Sequence, residues 1–168
     1  MKEKTLVKKL LGDEIKPEIP DMKWHKRFID SARLKQSWSK DRSTKHGCVI
    51  VDPNLNAEVA SGYNGFPRGL DDDIDSRHER PKKYLYTEHS ERNAILFCAR
   101  KGIATEGLHL YVTGMPCPDC ARAIAQAGIV KVFVDGASIG GDFDIRWKEL
   151  TQVSEEMFKE IGIELVIV

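Results

Sequence analysis

The chain has 168 residues, 41% hydrophobic and 31% charged, which suits one domain of ordinary size with a buried core. Its 26 basic residues balance 26 acidic ones, which excludes a general electrostatic pull toward nucleic acid or an anionic membrane and leaves any polyanion to a local patch. No apolar run is long enough to cross a bilayer, and Lys8 and Lys9 interrupt the apolar pairs Leu6-Val7 and Leu10-Leu11, so no secretory signal is evident and a reducing cytoplasm is the expected location.

Residues 1–20 are rich in Lys and Glu, with Pro17 and Pro20. They read as an N-terminal extension, a short helix or mobile arm, ahead of a domain over residues 21–168. Trp24, Phe28, Ile29, Ala32 and Trp38 recur at roughly helical spacing, so a core-facing helix is expected from a cap at Asp21 to about Trp38. Gly47 to Asp52 has the pattern of a buried strand ended by Pro53-Asn54, and a second strand over about Glu58 to Gly62 pairs with it through the turn at 52–56. Gly62-Tyr63-Asn64-Gly65-Phe66-Pro67-Arg68-Gly69 is too rich in glycine for regular structure. Such a loop lets backbone approach a ligand, with Asn64 and Arg68 offering an amide and a cation, or it is only a turn after an edge strand.

Asp71 to Asp73 with Asp75, and the basic residues through Lys83, read as a solvated insertion, a divalent cation at the acidic run being the lesser alternative. His25, His46, His78 and His109 are surface or packing residues on this reading. A helix is expected from Thr87 or Glu88 to Lys101, stopped by Gly102. Leu108 to Val112 forms a strand that places Leu108, Leu110 and Val112 on one face and His109 on the other. A helix through 121–127, a strand over 129–134, a loop over 136–144, an amphipathic helix from Arg146 to about Ile161 and a strand over Ile163 to Val168 complete the order. The expected fold class is α/β, with helices over a mixed five-stranded sheet.

The chemistry concentrates in Glu88-His89-Ser90-Glu91-Arg92-Asn93-Ala94 and Pro116-Cys117-Pro118-Asp119-Cys120. A catalytic zinc site takes three nitrogen or sulfur ligands and leaves the fourth tetrahedral position to water. His89, Cys117 and Cys120 meet that count, and the bound water then loses a proton near neutral pH. A Cys-x-x-Cys step at a helix start puts both sulfurs beside free backbone N–H groups and the positive dipole end, which favour thiolate. Prolines suit that place because those N–H groups lack helical partners in any case. Glu91, next to the metal, is cast as the general acid/base and not as a fourth ligand. A lone Cys-x-x-Cys would read equally as a structural knuckle or a redox pair. Cys48 and Cys98 lie in apolar contexts and read as small buried hydrophobes.

His-x-Glu followed by Pro-Cys-x-x-Cys is the signature of the zinc deaminases of nucleobases. With Ser37-Trp38-Ser39-Lys40-Asp41, the Gly62 to Gly69 loop, Tyr111-Val112-Thr113 and Arg146-Trp147-Lys148, the chain from about residue 22 onward resembles the deoxycytidylate (dCMP) deaminases of the zinc-dependent cytidine/deoxycytidylate deaminase superfamily. The resemblance implies a three-layer cytidine deaminase-like fold, one catalytic Zn2+, and hydrolytic deamination of the small nucleotide dCMP to dUMP and ammonia in the supply of dTTP. It implies that Glu91 moves protons to N3 and to the departing amine, and that Asn64 contacts the sugar, with Arg68 near a substrate phosphate or a regulatory nucleotide. It further implies activation by dCTP, with Mg2+ on the regulatory nucleotide, inhibition by dTTP, and a homo-oligomer, hexamer or dimer. Neither nucleic acid nor membrane is an expected partner.

Two residues depart from the family pattern: Ser90 stands where Ala is usual, both being small, with little effect expected, and His46 stands where an apolar residue is commoner, which makes it a candidate to line the pocket or an interface and to bear on substrate preference. Three rivals remain. A deaminase of free cytidine or another heterocycle shares all of this chemistry. A tRNA adenosine deaminase needs a polyanion-binding face that the balanced charge does not supply. A non-enzymatic zinc module needs a fourth ligand, and none is visible.

Overall fold

The structure is a computed structural model that describes residues 22–139 and 142–168. The expected extension over 1–20 and the cap at Asp21 lie outside the described residues, as do the side chains of 142–148. The ordered elements are α1 (Met22–Ser37), β1 (Gly47–Asp52), β2 (Ala57–Tyr63), α2 (Ser90–Lys101), β3 (His109–Val112), α3 (Pro118–Gln126), β4 (Lys131–Val134), α4 (Asp142–Ile161) and β5 (Glu164–Ile167), with short 3-10 turns at Asp75–Arg77 and Lys82–Leu85 between β2 and α2. The elements agree with those expected from hydrophobic period, apart from ends that move by a few residues.

The five strands run in the order β2-β1-β3-β4-β5. β1 pairs antiparallel with β2 and with β3, while β3, β4 and β5 are parallel. Alternation along the strands feeds two cores. Cys48, Ile50, Leu110, Val112, Val132 and Val134 face Ala94 and Cys98 of α2, Ala121 and Ile124 of α3, and Phe158 of α4. Val49, Val51, Tyr111 and Phe133 face Phe28, Ile29 and Ala32 of α1. Among the described residues the result is three layers, with one helix on one face of the sheet and three on the other. Leu110 and its neighbours sit on the face that period-two spacing assigned to them, and His109 lies on the other, its ring 5.5 Å from that of Phe133. Cys48 and Cys98 are fully buried in the larger core, as expected of apolar thiols.

Two glycines let helices rest on bare backbone. A Cβ at Gly47 would lie 2.0 Å from the Ala32 carbonyl oxygen of α1, and one at Gly62 would lie 2.3 Å from the Ser90 carbonyl oxygen and 2.7 Å from the Ala94 nitrogen of α2. These close approaches explain the glycines; neither needs a left-handed backbone.

Topology decides where a site can form. β2 and β3 both run antiparallel to β1 and so point the same way, and α2 follows the first of them and α3 the second. The N-termini of α2 and α3 therefore meet at one edge of the sheet, together with the start of β1. Open α/β sheets bind ligands outside the carboxyl ends of their strands for this reason.

Some expectations need correction. Trp38 lies beyond the end of α1 and is 52% exposed. Its ring meets the edge of Tyr63, and the Lys35 ammonium sits 4.2 Å from its centroid. The insertion is not wholly solvated: Lys83 is only 6% exposed, because the Asp41 carboxylate neutralises it at 2.8 Å. The acidic run is engaged in ion pairs, Asp72 with Lys40 and Asp75 with Arg42, and no cation-binding group forms there among the described residues. α4 begins at Asp142, four residues before the expected Arg146.

Candidate functional site

His89 is the N-cap residue of α2, with extended backbone at φ −81° and ψ 155°, and Cys117 caps α3 in nearly the same conformation, at φ −74° and ψ 168°. Pro118 follows as the first residue of α3, where its missing N–H costs nothing. Cys120 is one turn further on and fully buried. The topology thus brings an imidazole from one helix start against two sulfurs from another.

His89 Nδ1 lies 3.4 Å from Cys117 Sγ and 3.5 Å from Cys120 Sγ. The three donor atoms all lie within 4.8 Å of one another, and among the described residues no other His, Cys, Asp or Glu joins the group. Zinc–sulfur bonds of about 2.3 Å and a zinc–nitrogen bond of about 2.0 Å at tetrahedral angles place nitrogen and sulfur about 3.5 Å apart. The spacing in the structure is that of one face of such a tetrahedron, and two soft thiolates with an imidazole suit zinc. The residues present fit a zinc ion.

Protons are held unequally in the metal-free trio. The hydrogen bond from Cys120 is the largest influence on Cys117 and outweighs burial; with help from His89 it draws that thiol down to about 4. The same contact with Cys117, together with burial, pushes the Cys120 thiol well up. Hydrogen bonding to Cys117 raises His89 to about 9 against the effect of burial. At neutral pH the trio is a thiolate, an imidazolium and a thiol.

Glu91 stands in the first turn of α2 and is 5% exposed. Its Oε2 accepts a hydrogen bond of 2.8 Å from the Ser90 hydroxyl. Ser90 is therefore not an inert replacement for Ala, since its hydroxyl fixes one oxygen of the neighbouring carboxylate. Sequence reasoning dismissed it on size, and the signal it overlooked was the hydroxyl.

A cleft of about 800 Å³, open at its mouth, holds these groups. His89, Glu91, Cys117 and Gly114 line it together with Asn64 and His46 and with Arg80, Lys83 and Tyr84 of the insertion. Asn64 is largely committed: Oδ1 accepts the His46 N–H at 2.7 Å, and Nδ2 donates to the Thr44 carbonyl at 2.8 Å and to Asp41 Oδ2 at 3.5 Å. The last of these contacts is the longest, and so the weakest, of the three. The loop is clamped to the metal side by paired backbone hydrogen bonds, Gly65 N–H to Glu88 O at 3.0 Å and Glu88 N–H to Gly65 O at 2.8 Å. Arg68 is exposed and lies outside the lining of the cleft.

The insertion supplies residues that sequence reasoning missed. Lys83 Nζ donates to both oxygens of Asp41, at 2.9 and 2.8 Å, and to Ser43 Oγ at 2.7 Å. This buried pair separates the cleft from a second depression of about 540 Å³ lined in part by Trp38, Tyr63 and Phe66. His46, whose departure from the family pattern pointed to the pocket or an interface, lies in the lining of the cleft, and burial lowers its imidazole from the ordinary value while Glu91 opposes the change.

Known proteins are similar to this chain. The chain is 47% identical over 143 residues to an uncharacterized deaminase encoded in the luxG 3' region of Aliivibrio fischeri, covering 85% of this chain and 92% of that protein. It is 36% identical over 116 residues to the deoxycytidylate deaminase of Mus musculus, covering 66% of this chain and 64% of that protein. The crystal structure of dCMP deaminase from the cyanophage S-TIM5 in complex with dCMP and dUMP superposes with a TM-score of 0.67 at 25% identity, over 92% of this chain and 99% of that one. The cytidine and deoxycytidylate deaminase zinc-binding region matches residues 22–135. With its three donors grouped at converging helix starts, this chain is a member of the cytidine and deoxycytidylate deaminase family, a zinc-binding deaminase and hydrolase.

Proposed function

We propose that the domain over residues 21–168 hydrolyses dCMP to dUMP and ammonia, with His89, Cys117 and Cys120 holding one zinc ion, Glu91 as general acid/base and Asn64 as a substrate-binding side chain. The observation that carries this reading is the grouping of three zinc-spaced donors with a 5% exposed carboxylate in one cleft, in a chain similar to proteins named deoxycytidylate deaminase. When bound, zinc supplies a Lewis acid and lowers the pKa of a water ligand to about 7.

Glu91, held by Ser90, takes the proton of the attacking water and passes it to N3 of the cytosine ring as the new C–O bond forms at C4. It then takes the second proton, from the new C4 hydroxyl, and gives it to the amine; the C4–N bond breaks as the C4 carbonyl forms, and ammonia leaves. Asn64 turns its loosely held amide hydrogen to the sugar. Arg68, outside the cleft lining, is assigned to phosphate groups beyond the mouth, of the substrate or of a regulatory nucleotide. Family resemblance extends the reading to activation by dCTP with Mg2+, inhibition by dTTP, a role in dTTP supply, a hexameric or dimeric homo-oligomer and a cytoplasmic location. No helix of the described residues is long and apolar enough to cross a membrane.

The test is ammonia release by zinc-loaded protein from dCMP, CMP, cytidine, deoxycytidine and adenosine-containing RNA, with and without dCTP and Mg2+. Turnover confined to dCMP and raised by dCTP is expected. Turnover on a nucleoside or on RNA overturns the substrate. Glu91→Gln is expected to keep zinc and fold while losing at least about 100-fold in kcat, and an active variant overturns the mechanism.

A further inference from the structure

His46 has no part in the chemistry so far described, yet it stands beside the reacting end of the cleft. Its backbone is clamped from both sides. The His46 N–H donates to Asn64 Oδ1 at 2.7 Å, and its carbonyl accepts the Asn64 N–H at 3.1 Å. The next residue, Gly47, donates to Thr113 Oγ1 at 3.0 Å and accepts the Thr113 N–H at 3.0 Å. The strand cannot slide, because α1 sits directly on Gly47.

The ring itself has backbone behind it. A Cβ built on Gly114 would lie 2.7 Å from His46 Cε1 and 2.9 Å from Nδ1. The imidazole therefore rests on the bare Cα of Gly114 and has no room to move toward it. Glu91, His89 and Cys117 are among the groups whose charges act on it, which places it by the atoms that do the chemistry. This ring, Glu91, His89 and Cys117 line one cleft.

We infer that His46 is a specificity-determining residue: its imidazole is the wall against which the substrate's heterocycle packs, and its contact with Gly114 sets how bulky a ring substituent is accepted. The inference rests on the proposed reaction at a cytosine nucleotide. A wall held by four backbone hydrogen bonds is rigid, and rigid walls are what allow a site to reject one extra carbon, an effect worth about 10- to 200-fold in kcat/KM.

The two partners of the contact act in opposite directions. His46→Ala removes the wall and widens the slot. Gly114→Ala adds a methyl behind the ring and drives it into the slot. The measurement is kcat/KM for 5-methyl-dCMP relative to dCMP, with zinc content and melting temperature recorded for every variant. In parallel, the ratio of dissociation constants for dTMP and dUMP, which differ by the same methyl, reads the slot without turnover.

In His46→Ala the preference for the methylated member of each pair is expected to rise by about ten-fold or more, and in Gly114→Ala it is expected to fall. Ratios within about two-fold of wild type in both variants, each holding one zinc, overturn the inference, because a merely structural role lowers activity on both substrates together. Wild-type protein that turns over dCMP while the ratios stay fixed sinks the inference alone. Wild-type protein that neither turns over nor binds any of the four nucleotides sinks the proposed function, and the inference with it.

Discussion

The pair Asp41 and Lys83 offers a quantitative check on how the cleft is held together. Their side chains are 7% and 8% exposed. The ammonium spends its three hydrogens on two carboxylate oxygens and the Ser43 hydroxyl. The carboxylate also accepts the backbone N–H groups of Ser43 and Thr44 at 2.8 and 3.0 Å. Lys83→Met keeps most of the volume and removes the charge, leaving a buried carboxylate with neutral donors only, the two backbone N–H groups, the Ser43 hydroxyl and the Asn64 amide. Breaking one partner of such a pair costs about 3 kcal/mol or more, a fall in melting temperature of roughly 6–12 °C for a chain of this size.

The titration of Asp41 supports that magnitude. Burial alone would push the carboxyl up, but the hydrogen bonds from Lys83, Thr44 and Ser43 prevail and hold it at about 2 against an ordinary 3.8. The difference amounts to about 2.5 kcal/mol. The folded value is depressed, so this stabilisation is complete above about pH 4 and is lost as pH falls from there through about 2. The assay is urea unfolding of zinc-loaded wild type, Lys83→Met, Asp41→Asn and the double variant at pH 7, with the Asp41 carboxyl followed by carbon NMR. We expect a coupling of about 2 kcal/mol in the double-mutant cycle and a higher Asp41 midpoint in Lys83→Met. Single-variant costs below about 0.5 kcal/mol, simply additive in the double, would show a pair behaving as a solvated surface bridge and refute the reasoning.

Zinc loading at pH 7 should release about two protons per chain, because Cys120 and His89, the latter raised to about 9, give theirs up, while Cys117, drawn down to about 4, has already done so. Calorimetry in buffers of different ionisation enthalpy reads the count, and a value near three would show Cys117 to be a thiol in the free protein. Zinc affinity should accordingly rise with pH from 7 toward 9 as His89 loses its proton. Ser90→Ala removes the hydrogen bond to Glu91 Oε2; we expect kcat to fall about five-fold, about 1 kcal/mol of barrier, with KM and zinc content unchanged, and an unaltered kcat would show that packing alone holds the carboxylate.

The metal site was legible because its chemistry constrains residue type and local spacing together. Cys117 and Cys120 are one turn apart on a helix whose start is marked by proline, and His89 and Glu91 share another helix start, so both halves could be read without knowing how they meet. The sheet was legible for a similar reason, since alternation along Leu108 to Val112 sorts side chains to two faces regardless of partners. What could not be read depends on contacts distant in sequence. Lys83 is buried only because Asp41, 42 residues earlier, lies against it. Trp38 has the right spacing for α1 and falls outside it only because the helix stops at Ser37. His46 could be marked from its departure from the family pattern as a residue of the pocket or an interface, but the choice between the two follows from β1 starting at the end of the sheet where β2 and β3 finish. Asn64 was expected to face a ligand, and the structure shows most of its hydrogen-bonding capacity spent on the chain around His46.

Gly62 acts as a seat for the helix above it. The first turn of α2 touches the sheet there without an intervening side chain, and a methyl group at that point would meet the Ser90 carbonyl oxygen at 2.3 Å. That turn carries the imidazole at its cap and the carboxylate two residues on, whereas both sulfurs ride on α3, which packs closely against α4 and α2. The spacing across the reaction centre is thus the difference between two seating depths, one of them machined by the absence of a single carbon. Metal coordination tolerates about 0.2 Å of error, far less than the core needs to stay folded. Raising this one seat should yield a protein that is compact, keeps its sheet, and no longer grips its metal, so that metal retention becomes a gauge of how deeply a helix sits.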